Sequence, residues 1–330
     1  MKKFVVKLLV FVAVFCTASS AVATNRTASV SGNWTATGTW GGNPVPVAGD
    51  AVTISAGVVV TIDVANAECE SLFIGTTVGT ATLTFAATGN PKLTTSGGVT
   101  VGSLNNVDGF GTILFSNGST LICGANLTHG AMGAQSSAIN MTSGGLLSVH
   151  GSIVMGAGAV WTPGTGTVEM TANNALLYTP FNHLTINGGT TTIGANTTIN
   201  GDLNIVSGTL SLSAFDFTVI GNSVINGTLS CENITGAKVF TGNVTIGNGG
   251  LWNSAVNEDF SLGGSFQNKG SMTAGGGTYH FTGVNRTFSG SEPIGIANLN
   301  ISGNYTNLGT LTVSTTVAGT GSLIQATNAT

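Results

Sequence analysis

The chain has 330 residues, only 6% of them charged, with 50 Gly, 6 Pro and a formal net charge of −4. Its 8 Lys and Arg cannot build the clustered positive surface that nucleic-acid binding needs, which excludes that class of partner. A mean hydropathy of +0.38 would suit a membrane protein, yet only one apolar run is long enough to consider, and it sits at the extreme N-terminus.

That run opens the chain. Lys2, Lys3 and Lys7 precede the apolar stretch 8–15, and Ala21-Val22-Ala23 supplies the small residues a signal peptidase requires. Residues 1–23 read as a secretory signal peptide. Phe15 before Cys16 is too bulky for a lipobox, so Cys16 reads as an ordinary residue of the apolar region. Cleavage after Ala23 takes away three lysines and moves the net charge from −4 to −7. Three cysteines remain, Cys69, Cys123 and Cys231. An odd, widely spaced set is no disulfide framework, and they are expected as small buried core residues.

Residues 24–63 differ from the rest of the chain. Trp34 and Trp40 in NWTATGTW and Pro44 and Pro46 in NPVPVAGD suit an N-terminal cap over an open apolar stack. The alternation across 53–63, with a turn at Ala56-Gly57, predicts the first pair of strands.

From residue 64 to 330 short alternating runs are punctuated by Gly: SLFIG, ATLTFAA, KLTTSG, GTILFSNG and STLICG, then a less regular region over 125–165. The clearest text lies at 183–225. Ile186, Ile193, Ile199, Ile205, Leu212, Val219 and Ile225 recur at steps of six or seven residues, with Asn-Gly, Gly-Gly and Ser-Gly turns between them. Three steps return the pattern to itself: Ile186 to Ile205 is 19 residues and Ile205 to Ile225 is 20. A strand-turn unit repeated three times per period describes an all-β, single-stranded parallel β-helix with about 19–20 residues per coil. The wandering step favours the right-handed class over the strict hexapeptide left-handed one. Fifteen or so coils at ~4.8 Å give a rod of about 70 Å.

Two longer segments, 164–189 and 275–304, also resemble each other, with Leu184 and Leu299 lying 115 residues apart, near six coils of nineteen. Leu311-Thr-Val313 and Leu323-Ile324 are still solenoid text, so the C-terminal end is expected to be uncapped and the chain to belong to a longer array.

The pattern Trp40-Gly-Gly, Pro44-x-Pro46, Gly49-Asp50-x-Val52-x-Ile54, Ala56-Gly57-x-x-Val60-x-Ile62-Asp63 and Ser71-Leu72-x-Ile74-Gly75 resembles the start of a G8 domain. Units such as TINGDL and NLGTLTV resemble the long secreted repeat proteins of Bacteroidota. These resemblances imply an extracellular protein of adhesin or matrix type that contacts glycans, and they name no residue that does so.

Chemistry is sparse. A polysaccharide-active enzyme on a parallel β-helix needs two or three converging carboxylates. Asp50, Asp63, Glu68, Glu70, Asp108, Glu169, Asp202, Asp216, Glu232, Glu258, Asp259 and Glu292 are scattered; Asp216 with Glu232 is the best-spaced pair. His129, His150, His183 and His280 stand alone, without metal-ligand spacing. The thirteen Asn-x-Ser/Thr triplets follow from a composition rich in Asn, Ser and Thr. Thr80, Thr82 and Thr84, with Thr190–Thr192, hint at an ice-binding face, but the pattern lapses within one or two repeats.

No catalytic residue, cofactor or metal is therefore assigned. The expectation is a non-catalytic secreted or cell-surface solenoid acting in adhesion or glycan contact, with a β-helix enzyme or a structural stalk as the alternatives. The partner is an extracellular polysaccharide or cell-surface glycan, and Trp34, Trp252 and Tyr279 are the aromatic positions at which to seek its contact.

Overall fold

A computed structural model describes residues 23–103, 109–130, 136–156, 158–173, 175–177, 180–233 and 235–330. The apolar stretch before residue 23 and Asp108 lie outside the described residues.

The chain winds as a parallel β-helix with three faces. The first face stacks Asn25–Ala28, Ala51–Ile54, Ser71–Ile74, Val99–Val101, Leu127–His129 and Ile153–Met155 as a six-stranded parallel sheet. The second stacks Gly32–Asn33, Val59–Ile62, Gly79–Phe85, Gly109–Leu114, Ser137–Asn140 and Ala159–Thr162 in the same way. It continues past Phe181, which bridges Ile199, into a seven-stranded sheet running from Thr197–Ile199 to Leu311–Ala318. The third face runs the length of the molecule, from Ala67–Cys69 to Ser322–Gln325. Thirteen stacked strands on the second face, six and then seven, span roughly 60 Å at ~4.8 Å each.

The coil length corrects the expectation for half the chain. On the third face Leu184 pairs with Leu203, Leu203 with Ser223 and Ser223 with Val244, so these coils hold 19, 20 and 21 residues. Toward the N-terminus Ala67 pairs with Leu93, Leu93 with Leu121 and Leu121 with Leu147, giving 26, 28 and 26. Longer connections at the corners consume the difference, which is also why the rod is shorter than expected.

Alternation decides what is inside. In most strands every second residue points into the core, and Cys69, Thr95, Cys123 and Val149 stack in one inward file. Two of the three cysteines thus lie two coils apart, an alignment that a uniform twenty-residue coil cannot produce. All three are buried and free, and burial pushes Cys69 up to about 12 and Cys231 up to about 11, so both remain thiols.

The chain turns corners where glycine permits it. Long strands His183–Ile193 and Leu203–Leu212 bend from the third face onto the first at Gly189 (φ +58°) and Gly208 (φ +73°). A Cβ on Gly189 would lie 2.2 Å from the Ala172 carbonyl oxygen, so this bend excludes every other residue.

The N-terminal segment is already part of the helix. The first strands are Asn25–Ala28 and Gly32–Asn33, ahead of the pair read from residues 53–63, and that pair occupies two successive faces of one coil. A 3₁₀ turn, Thr37–Trp40, packs on this first coil; Trp34 and Trp40 meet edge to face at 5.1 Å, and the Trp40 indole donates to the Trp34 carbonyl. At the other end, Ser322–Gln325 is exposed throughout, including Leu323 and Ile324.

The two resembling segments do not mark whole coils. Thr167–Met170 pairs with His183–Ile186 on the third face, whereas Thr278–Phe281 pairs with Asn298–Ile301 on the second. The same two-strand unit recurs, offset by a face, because any face can accept a Thr-led strand with apolar residues at alternate positions.

Candidate functional site

The aromatic residues that the sequence offers for ligand stacking are interior. Trp34, Trp252 and Tyr279 are 1%, 1% and 0% exposed. Trp252 is the hub of a ring stack: Phe240, Phe260, Phe266 and Tyr279 lie 4.9–6.3 Å from it, and its indole donates to the Tyr279 hydroxyl at 3.0 Å. The period-2 pattern could have placed Tyr279, which alternates inward with Phe281; Trp252 sits alone in a three-residue strand and gives no such signal.

The carboxylates are largely committed to holding coils together. Asp50 is buried and accepts bonds from Thr24, Arg26 and the Val47 N–H; burial pushes its carboxyl up, and these partners together hold it below its ordinary value. Asp63 accepts from the Thr35 N–H and hydroxyl. Glu169 accepts from Ser148 and Asn187, Glu232 from Ser230, and Asp259 from the Thr278 N–H. Asp216 and Glu232, the best-spaced pair by sequence, do separate jobs: Asp216 accepts from the Ala237 N–H in the next coil. Glu68, Glu70 and Glu292 are exposed. Among the described residues no three His, Cys, Asp or Glu side chains converge as a metal site.

One charged pair is buried outright. The Lys238 ammonium donates to the carbonyls of Phe215, Thr235 and Gly236 at 2.8–3.0 Å and lies 3.6 Å from the Glu258 carboxylate. Both side chains are nearly inaccessible, and Glu258 Oε2 has no partner among the described residues. Burial pushes the Glu258 carboxyl up, against the pull of Lys238. A cavity of about 340 Å³ lies over this corner, lined by Asn257, Asp259, Ser261 and His280 as well as the pair. The ammonium is saturated by backbone oxygens, so the pair cements the corner.

His129 is the other buried titratable group. It occupies the inward file of Ile74, Val101 and Met155 on the first face, is 0% exposed, and neither ring nitrogen has a hydrogen-bond partner among the described residues. Burial holds it down to about 4, so the ring is neutral at physiological pH.

The arrangement best suited to a ligand is on the outside of the third face. A groove of about 680 Å³ is lined by Thr167, His183, Thr185, Asp202, Asn204 and Asn222, with Val224 and Asn226 at its end. Two outward files form it, because Thr185 registers with Asn204 on adjacent strands and His183 accepts from the Asp202 N–H one coil on. No Lys or Arg lines it. In the sequence alone His183 reads as a lone histidine and the Asn residues as turn formers; their one-coil spacing is the signal that could have joined them.

The hydroxyl pattern runs further than the sequence suggests. Thr190 and Thr192 lie beside Thr209 and Ser211, and these beside Thr228 and Ser230, before Leu251 and Asn253 interrupt. Ser230 is buried and bonded to Glu232, so the files offer no continuous open plane. Compared with family models, curated proteins and solved structures, the chain matches none.

Proposed function

We propose that this chain is an exported, non-catalytic β-solenoid that contacts extracellular or cell-surface glycan, as an adhesin or matrix component would. The observation that carries the reading is the open polar groove on the third face, lined by hydroxyl, amide, imidazole and carboxylate groups, with no Lys or Arg among its described lining residues. Sugars present hydroxyls that both donate and accept, and such a mixed lining meets them without a charge requirement. The engaged state of the carboxylates supports contact over cleavage, since Asp50, Asp63, Glu169, Asp216 and Asp259 already accept bonds that fasten neighbouring segments. The N-terminal sequence, with its charged start, apolar run and small-residue site, supports export, and the resemblance to G8 domains and secreted repeat proteins points the same way.

The test is a binding screen of the chain against immobilised polysaccharides and whole cells, with released sugars measured in parallel. Saturable binding without release of reducing ends is expected. Reducing ends that accumulate with time would replace contact by catalysis, and binding to no surface would leave a stalk.

A further inference from the structure

The groove's polar residues do two things at once. The Asp202 N–H donates to His183 Nδ1 at 2.9 Å, the Asn222 N–H to Asp202 Oδ1 at 2.8 Å, the Asn243 N–H to Asn222 Oδ1 at 3.1 Å, and the Ser265 N–H to Asn243 Oδ1 at 2.9 Å. Each side chain thus spends one polar atom on the coil after its own. The second atom makes no hydrogen bond among the described residues: Nε2 of His183, Nδ2 of Asn222, Nδ2 of Asn243, and Oδ2 of Asp202, which lies 3.8 Å from His183 Nδ1 on a side chain that stays 55% exposed. With Nδ1 accepting, the proton of the neutral imidazole sits on Nε2. The outward tips read donor, acceptor, donor, donor, one per coil at ~4.8 Å intervals.

We infer that this comb binds an uncharged, linear polysaccharide lying along the solenoid axis, successive sugars engaging successive coils. The inference rests on the glycan-contact reading and adds the ligand's class, direction and contacts. Three features select it. The tips are colinear and regularly spaced, so a linear polymer meets all four while a globular ligand does not. The parallel file of Thr185, Asn204 and Thr245, with half-exposed Val224 between them, gives hydroxyl and amide partners and an apolar patch for the C–H faces of sugar rings. Among the described residues the one carboxylate lining the groove is the 55% exposed Asp202, and no Lys or Arg there offsets a polyanion.

The experiment uses the full chain and two substitutions that separate the two roles. Asn222→Asp and Asn243→Asp keep the Oδ1 acceptor for the next coil and replace the outward amide donor with a carboxylate oxygen. Affinity electrophoresis in gels containing a neutral β-glucan, polygalacturonate or chitosan gives the class, and titration with neutral oligosaccharides of increasing length gives the direction. The wild type is expected to be retarded by the neutral polymer, with affinity rising up to about four sugars, one per tip. The double variant is expected to bind roughly tenfold or more weakly while melting as the wild type does. The single variants Asn222→Asp and Asn243→Asp are each expected to weaken neutral-polymer binding by a smaller factor, and they carry the test should the double variant not fold. Neutral-polymer binding that the Asn222 and Asn243 variants leave intact, or preference for the polyanion, overturns this inference while the glycan reading stands. Retention by none of the polymers overturns both.

Discussion

The two halves of this solenoid solve one problem in different ways. From Ala67 to about residue 147 the coils are long, 26–28 residues on the third face, and their core is mostly aliphatic files such as Leu93, Leu121 and Leu147. Beyond it the coils shorten to about twenty residues and the core becomes a continuous ring stack from Phe217 through Trp252 and Phe281 to Tyr305. Short coils enclose a slim interior, and rings that contact across coils fill it while joining each coil to the next. Long coils leave corners to be held by individual side chains, as Asn126 does by accepting from the Ser152 N–H. A solenoid's stability is a sum of coil and interface contributions, so the ring stack should make the second half the more cooperative unit.

The largest effect should come from the hub of that stack. Trp252→Ala removes a fully buried ring and leaves the Tyr279 hydroxyl without its donor, an expected loss of about 3–5 kcal/mol. Hydrogen exchange should quicken along the whole ring stack, from the coil of Phe217 to that of Tyr305. Leu121→Ala, of about 2–5 kcal/mol, should quicken only its own coil and the adjoining ones. Equal spread of the two effects would remove the distinction between the halves.

Lys238→Met comes next, at about 3–5 kcal/mol, because it strands Glu258 in the interior. A buried carboxyl already pushed up has then lost the charge that pulled it down, so burial pushes it higher still. The variant's deficit should therefore grow as pH rises, and chemical denaturation across pH would read it. Adding Glu258→Leu should recover most of the loss; no recovery would mean that the three carbonyls, rather than the carboxylate, are what Lys238 serves.

How much of this is written in the sequence depends on which half is read. Ile186, Ile205, Ile225 and Ile246 form one inward file at nearly constant spacing, so the all-β coil is legible from them alone. The file of Cys69 and Cys123 is hidden, because loops of unequal length separate strands whose spacing carries the only signal. Trp252 goes inside for a reason that composition cannot express: the three-residue strand that holds it shows too little alternation to say which way its middle residue points. The groove is the least legible part. Asp202, Asn222 and Asn243 each read as a turn residue, and only the register makes them a line.

His129 tests the first half by pH. Its folded value near 4 lies below the 6.5 of an unperturbed histidine, so the unfolded chain takes up a proton first as pH falls. Stability is unaffected above about 6.5 and declines between there and about 4, by ~3 kcal/mol in total. The strands packed beside it, Val99–Val101, Ile153–Met155, Gly109–Leu114 and Ser137–Asn140, carry no charged or titratable side chain that could compensate. His129→Leu should flatten this decline, and exchange measured at pH 5 should show the loss confined to the first half. Loss spread evenly over both halves would mean that the helix melts as one unit.

The smallest effect separates the halves most finely. Asn222→Ala and Asn126→Ala each delete one side-chain bond to the backbone of the following coil, about 1 kcal/mol apiece. Asn126 acts singly, so its loss should expose the Ser152 amide and little else. Asn222 is one rung of a ladder in which Asp202 positions Asn222 and Asn222 positions Asn243, so its loss should quicken exchange at the Asn243 amide and, more weakly, at Ser265. Propagation of this kind is expected only where each side chain stands on the coil below and holds the coil above. If the Ser265 amide exchanges at the wild-type rate, the ladder is a row of independent bonds, and the difference between the halves lies in the ring stack alone.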